Sequence, residues 1–244
     1  MPYRRLPNTD LTRIYALEKA IGKEGYKENG QLVLSYQTIQ DSTTFLNQFK
    51  RAQGIYQQCY TSQAKSSKEY RVTVRMARLY ISHFIQVLNM CIQRGELRKE
   101  VRSYYKLSPD DTCIPDVINE PSLYEWGKKV IDGENERVAN GGIPIYNPTI
   151  AKVKVHYDKF AEQYFAQKIL QKATAQAVET MATLRPMADT LILDIWNQVE
   201  STYQDLPPEE RIQRCQEFGV IYYYRTSEKA KQEADRMQRA FSFK

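Results

Sequence analysis

The sequence predicts an all-α protein, an elongated antiparallel helical bundle built from two long helical hairpins with a short extended segment near the C-terminus. Three observations predict it. Apolar residues recur every third or fourth position over long stretches instead of alternating. Ten glycines and ten prolines occur in 244 residues, and most of them gather at a few joints, around 22–30, 109–121, 133–148, 185–186 and 206–208. One run alone, Val220 to Tyr224, has the β-branched and aromatic content of a strand.

Taken in order, Asn8 and Thr9 are suited to capping a first helix with Leu11, Ile14, Leu17 and Ile21 on one face. A second helix is expected over 33–62, carrying Phe45, Phe49, Ala52, Tyr56 and Cys59. Ser66 and Glu69 read as a capping box that opens a third, in which Tyr70, Val74, Ala77, Ile81, Phe84, Leu88 and Cys91 follow at 4-3 spacing. Leu97, Val101 and Tyr104 extend that pattern towards Leu107, and a polar connection over 108–120 leads to a helix opening at Pro121-Ser122 and fading by Gly141-Gly142.

The second hairpin starts at Asn147-Pro148, an N-cap with proline at the first helical position, and shows Ile150, Val153, Tyr157, Phe160, Tyr164, Leu170, Ala177, Met181 and Leu184. A turn is expected at Arg185-Pro186, with a proline inside one longer helix as the competing reading; Ala188, Ile192, Ile195 and Val199 then return to about Gln204. After Pro207-Pro208 a short helix ends at Gly219, Val220 to Tyr224 lies extended without a strand partner, and 227–244 forms a polar helical tail. The expected division is a bundle over 1–206, with hairpin units at about 30–107 and 145–206, followed by 207–244. The similar rhythm of 75–88 and 185–199 fits either an internal duplication or the common rhythm of any bundle helix.

No stretch approaches the roughly 18 apolar residues of a membrane span. The charged start lacks the apolar region and cleavage site of a signal peptide, so a cytoplasmic location is expected. Cys59, Cys91, Cys113 and Cys215 are scattered without a C-x-x-C pair, and Cys59 and Cys91 read as small hydrophobes.

Motifs of catalysis are missing. His83 and His156 are the two histidines; Tyr80 and Val153 stand where a di-iron bundle needs glutamates, and neither a phosphate loop, a dinucleotide fingerprint nor a nucleophile elbow is written. Asp189 and Asp194, five apart, point in different directions and read as a solvated face. No catalytic residue, metal ligand or cofactor is expected.

Charge is the positive signal. From Lys65 to Lys106 ten Lys or Arg face three Glu, an excess of seven in a chain of net charge +6. Lys68, Arg71, Arg75 and Arg78 form one helical ridge, and Arg94, Arg98 and Arg102 a second, so this segment is a nucleic-acid-binding surface, or one that pairs with acidic residues on a neighbouring helix or is merely solvated. Tyr104 and Tyr105 stand beside it for base stacking.

The opening Met1 to Asp10, the run Leu184 to Glu200 and the run Arg214 to Arg225 resemble an uncharacterised all-helical family of Bacteroidota with no assigned activity. The resemblance implies a helical fold and assigns no functional residue. The expected function is a non-enzymatic scaffold or adaptor, binding a protein partner or a second copy through a bundle face or through Val220, Tyr222 and Tyr224; nucleic-acid binding through the basic ridge is the alternative.

Overall fold

The computed structural model describes residues 3–22 and 32–224. Along them run β1 (Tyr3–Arg4), α1 (Asp10–Gly22), α2 (Tyr36–Gln93), a 3-10 helix (Lys99–Tyr105), α3 (Glu120–Ala139), α4 (Ile150–Thr202), α5 (Pro208–Glu217) and β2 (Tyr222–Tyr223). The all-α class is as the apolar periodicity predicts. The tail expected over 227–244 lies outside the described residues.

Continuity corrects the hairpin expectation. α2 runs unbroken for 58 residues through the break expected between Ser62 and Ser66. That stretch contains neither glycine nor proline, and helix-interior hydroxyls are accommodated elsewhere in α2 by donating back one turn, as Thr43, Thr44, Thr73 and Ser82 do. α4 likewise runs 53 residues through Pro186, the competing reading of that position. Leu184 and Ala188 are buried on either side of the exposed proline, and Arg185 is tied to Asp10, so tertiary contacts hold the helix where one backbone N–H is missing.

The chain forms two compact units, Met1–Gln57 with Gln176–Lys244, and Gln58–Ala175, and α2 and α4 each contribute to both. The division therefore falls inside the long helices, and 207–224 belongs with α1 instead of standing apart after residue 206.

In the first unit Leu17, Phe49, Met181, Ile192, Trp196 and Val199 are at most 2% exposed. Burial of each such side chain contributes about 1.5–3 kcal/mol. Thr9 caps α1, receiving the Thr12 N–H at 3.2 Å, but the buried face is Ala16, Leu17 and Ala20, and Leu11 is exposed. Small residues win that face because the backbone of the α5–β2 turn comes close: a side chain at Gly219, where φ is +86°, would meet the Ala16 carbonyl at 3.0 Å. Arg185 grips Asp10 through two bonds of 2.8 Å, and Arg13 grips Asp189 at 2.8 and 3.0 Å. Asp194 accepts from Thr38 and Gln198, so the two aspartates read as solvated are both partnered.

Val220 to Tyr224 also departs from expectation. Tyr222 and Tyr223 pair antiparallel with Arg4 and Tyr3, so the extended segment has a partner at the far end of the sequence. Val220 is buried in the core and the Tyr222 hydroxyl donates to Glu200 at 2.7 Å.

In the second unit Ile81, Phe84, Leu88, Leu123, Val130 and Phe160 are fully buried. Tyr70 stacks on Phe160 and Tyr80 on His156, so α2 and α4 run antiparallel there. Asn119 caps α3 by accepting the Ser122 N–H at 2.8 Å, with proline in the first turn as expected. At the start of α4 the cap is Thr149, not Asn147.

Two glycines in helix interiors predict opposite outcomes. A methyl at Gly133 would sit 2.6 Å from the Tyr104 carbonyl, so Gly133→Ala costs about 1–3 kcal/mol in chemical denaturation. Gly54 has open space around it, and Gly54→Ala stabilises by about 0.5–1 kcal/mol. A third expectation concerns pH. The Arg185 guanidinium bonded to Asp10 outweighs burial and holds its carboxyl below the usual aspartate value. A depressed folded value stabilises the fold above the unfolded value, near pH 4, and the effect fades as pH falls through the folded one. The stability gap between wild type and Asp10→Asn, read by thermal melts, therefore closes on acidification below about pH 4.

A candidate docking face on the second unit

Burying charge is costly unless every charged atom is answered, and the second unit answers each of its own. Glu134 and Arg137, one turn apart on α3, are 0% and 3% exposed and joined at 2.8 Å. The Tyr105 hydroxyl donates to Glu134 and accepts from Arg137 Nε at 2.9 Å. Burial and the adjoining carboxylate push the Tyr105 phenol well above its usual range. The network then reaches the α3–α4 loop: Arg137 donates to the Ile143 carbonyl at 2.8 Å and Glu134 accepts the Ile145 N–H at 3.0 Å.

A second pin uses Arg102, 1% exposed, which donates to Asn89 and to the Ser108 carbonyl at 2.6 Å, while Asn89 donates to the Thr112 carbonyl at 2.8 Å. In both networks the charged side chains are bonded to protein groups. Their effect is to fix the connection after the 3-10 helix against the C-terminal end of α2 and the α3–α4 loop against α3.

Between that end and the fixed loop lies a groove of about 540 Å³. Val87 and Met90 of α2 line it together with Leu97 and with Ile143 and Tyr146 of the loop. Ile143 is 73% and Tyr146 75% exposed although their loop is bonded to buried charge. The loop therefore holds two large apolar side chains towards solvent beside the groove. Arg94 and Glu96 close an ion pair of 2.7 and 3.1 Å at the rim.

Cys91 also lines the groove. Burial and the neighbouring Glu96 raise its thiol above the usual value, so it is a poor nucleophile at neutral pH. His83 is exposed at the groove; His156 is half-buried against Tyr80 at 4.1 Å between ring centres. All four cysteines are free thiols, Cys59 and Cys91 half-buried. Among the described residues, no group of three or more metal-ligating side chains is placed to hold an ion, and no helix is long and apolar enough to cross a membrane.

The two expected ridges fare differently. Lys68, Arg71 and Arg75 stand exposed along α2. Arg78 is half-buried and donates to the Val117 carbonyl at 3.0 Å and to that of Ile118. The second ridge does not form: α2 stops at Gln93, Gly95 turns the chain with φ of +75°, Arg94 pairs with Glu96, and Arg102 is buried. Arg98 is exposed before the 3-10 helix, and Tyr105 is buried, so it is not available for base stacking. Of the residues expected to meet a partner, Val220 and Tyr222 serve the first unit internally and Tyr224 is half-buried.

The apolar stripe that faces outward on α2 escaped the sequence reading. Val72, Leu79 and Met90 are 50%, 55% and 49% exposed. Their spacings of seven and eleven were legible, but the buried 4-3 seam on the same helix masked them.

Arg137→Met removes one partner and leaves Glu134 buried without its counter-charge. The expected cost is about 3–5 kcal/mol in denaturant unfolding, together with faster amide exchange at Ile145.

Comparison with known protein families, with curated proteins and with solved structures finds no match to this chain.

Proposed function

We propose that this chain is a non-enzymatic helical scaffold or adaptor that binds a protein partner through the second unit. One observation carries the reading: Ile143 and Tyr146 are held open to solvent around a groove of about 540 Å³, on a loop fixed by the Glu134–Arg137 pair. A rigid loop presenting apolar side chains loses little conformational freedom on binding, which favours association over a mobile surface of equal area. Aromatic residues such as Tyr146 are typical anchors of protein interfaces.

The second reading, nucleic-acid binding, rests on Lys68, Arg71 and Arg75, exposed together on one helix. Three cations on α2 make a short track for phosphates, since Arg78, Arg94 and Arg102 are bonded to the protein itself and the exposed Arg98 lies beyond the end of that helix. Protein binding therefore stands first.

Affinity purification of the full chain at low and moderate salt, compared with Ile143→Glu/Tyr146→Glu, tests the choice. The account expects a protein held in stoichiometric amount that survives moderate salt and is lost from this variant, whose melting temperature is unchanged. Nucleic acid that elutes with salt, and is lost from Arg71→Glu/Arg75→Glu instead, would establish the second reading in its place.

A further inference from the structure

We propose that the outward face of α2 from Val72 to Met90, with the groove at its end, docks an acidic amphipathic helix of another protein. The inference rests on the protein-binding reading above and names the partner's chemistry.

Helical geometry puts the elements of this face side by side. At about 100° per residue, Val72, Leu79 and Met90 point within roughly 20° of one another, on the side opposite the buried Ile81 and Leu88. Lys68, Arg71 and Arg75 lie about 40–100° to one side of this stripe. On the other side, by the same count, come Met76, Val87 and Tyr80, all half-buried. The stripe therefore has one cationic flank and one apolar flank, and its C-terminal end opens into the groove that Met90 lines.

Each feature specifies something about the occupant. Exposed apolar residues at spacings of seven and eleven suit a helix laid alongside, whose own seam repeats at about 3.5 residues. The eighteen helical steps from Val72 to Met90 span about 27 Å, the length of a helix of roughly 18 to 20 residues. The cations have no ion pair among the described residues, so carboxylates on the matching flank of the partner would meet charge that nothing in the second unit neutralises. A second copy cannot supply those carboxylates from the same face, because Glu69 is the one acidic residue between Ser66 and Gln93.

The test uses the full-length protein and a fluorescent amphipathic peptide of about 20 residues with Leu at a and d and Glu along one flank. Anisotropy is followed at low and moderate salt. Binding is expected to weaken about tenfold in Leu79→Glu/Met90→Glu. In Arg71→Glu/Arg75→Glu it should weaken by a similar factor and lose its salt dependence. Both variants change exposed side chains, and circular dichroism checks that each keeps its helix content.

Three results would overturn the proposal: equal affinity for the same peptide with Lys in place of Glu, wild-type affinity in either variant, or no binding at low salt. So would preferential binding of single-stranded DNA or of vesicles rich in anionic lipid, or self-association in sedimentation that Leu79→Glu/Met90→Glu abolishes. Should the peptide fail while Ile143→Glu/Tyr146→Glu still releases a protein partner, the docking reading stands and the acidic helix alone is wrong.

Discussion

Glu134 has no exposed surface and carries a charge, and the second unit is arranged around that constraint. Arg137 supplies the counter-charge, Tyr105 a hydroxyl, and the Ile145 N–H the remaining donor, which brings the 3-10 helix and the α3–α4 loop against α3. Close packing follows. Gly133 passes beneath the Tyr104 carbonyl and Gly142 lies against Arg137, neither with room for a methyl group. A hydrophobic replacement could stabilise such a site as well as an ion pair does, but it would not fix a loop through directional bonds. The loop so fixed carries Ile143 and Tyr146 outward, and the groove owes its shape to it.

Much of the fold was legible in the sequence because packing dominates it. The seam from Tyr70 to Leu88 is buried throughout, and the cap of α3, the turn at Gly219 and the short helix before it fall within a residue or two of their signals. What failed were the boundaries set by contacts distant in sequence. Ser66 and Glu69 carry a helix-start pattern that is indistinguishable, without neighbours, from the interior of a longer helix. Pro186 is carried by Asp10, some 175 positions away, and Val220 to Tyr224 finds its strand partner at Tyr3 and Arg4.

The site was less legible, and the arginines show why. Arg71, Arg75 and Arg78 look alike in the sequence, yet Arg78 bonds carbonyls of a connection 39 and 40 residues on while the others face solvent. Arg102 keeps the spacing of a ridge but sits beyond the end of the helix that would have aligned it. Local periodicity assigns a side chain to a face; only the path of the rest of the chain decides whether that face is open. Ile143 and Tyr146 had no signal of their own, since an apolar residue in a loop reads as packing until its neighbours are known.

The proposed protein binding rests on the apolar face of α2 and the groove at its end. The most direct measurement places a photoreactive amino acid at Met90, with Gln213 on the exposed side of α5 as the reference position, and irradiates living cells expressing the chain. The account predicts a discrete protein adduct from Met90 that is absent from Gln213. Adducts of equal yield from both positions, or an adduct to nucleic acid from Met90, would contradict it.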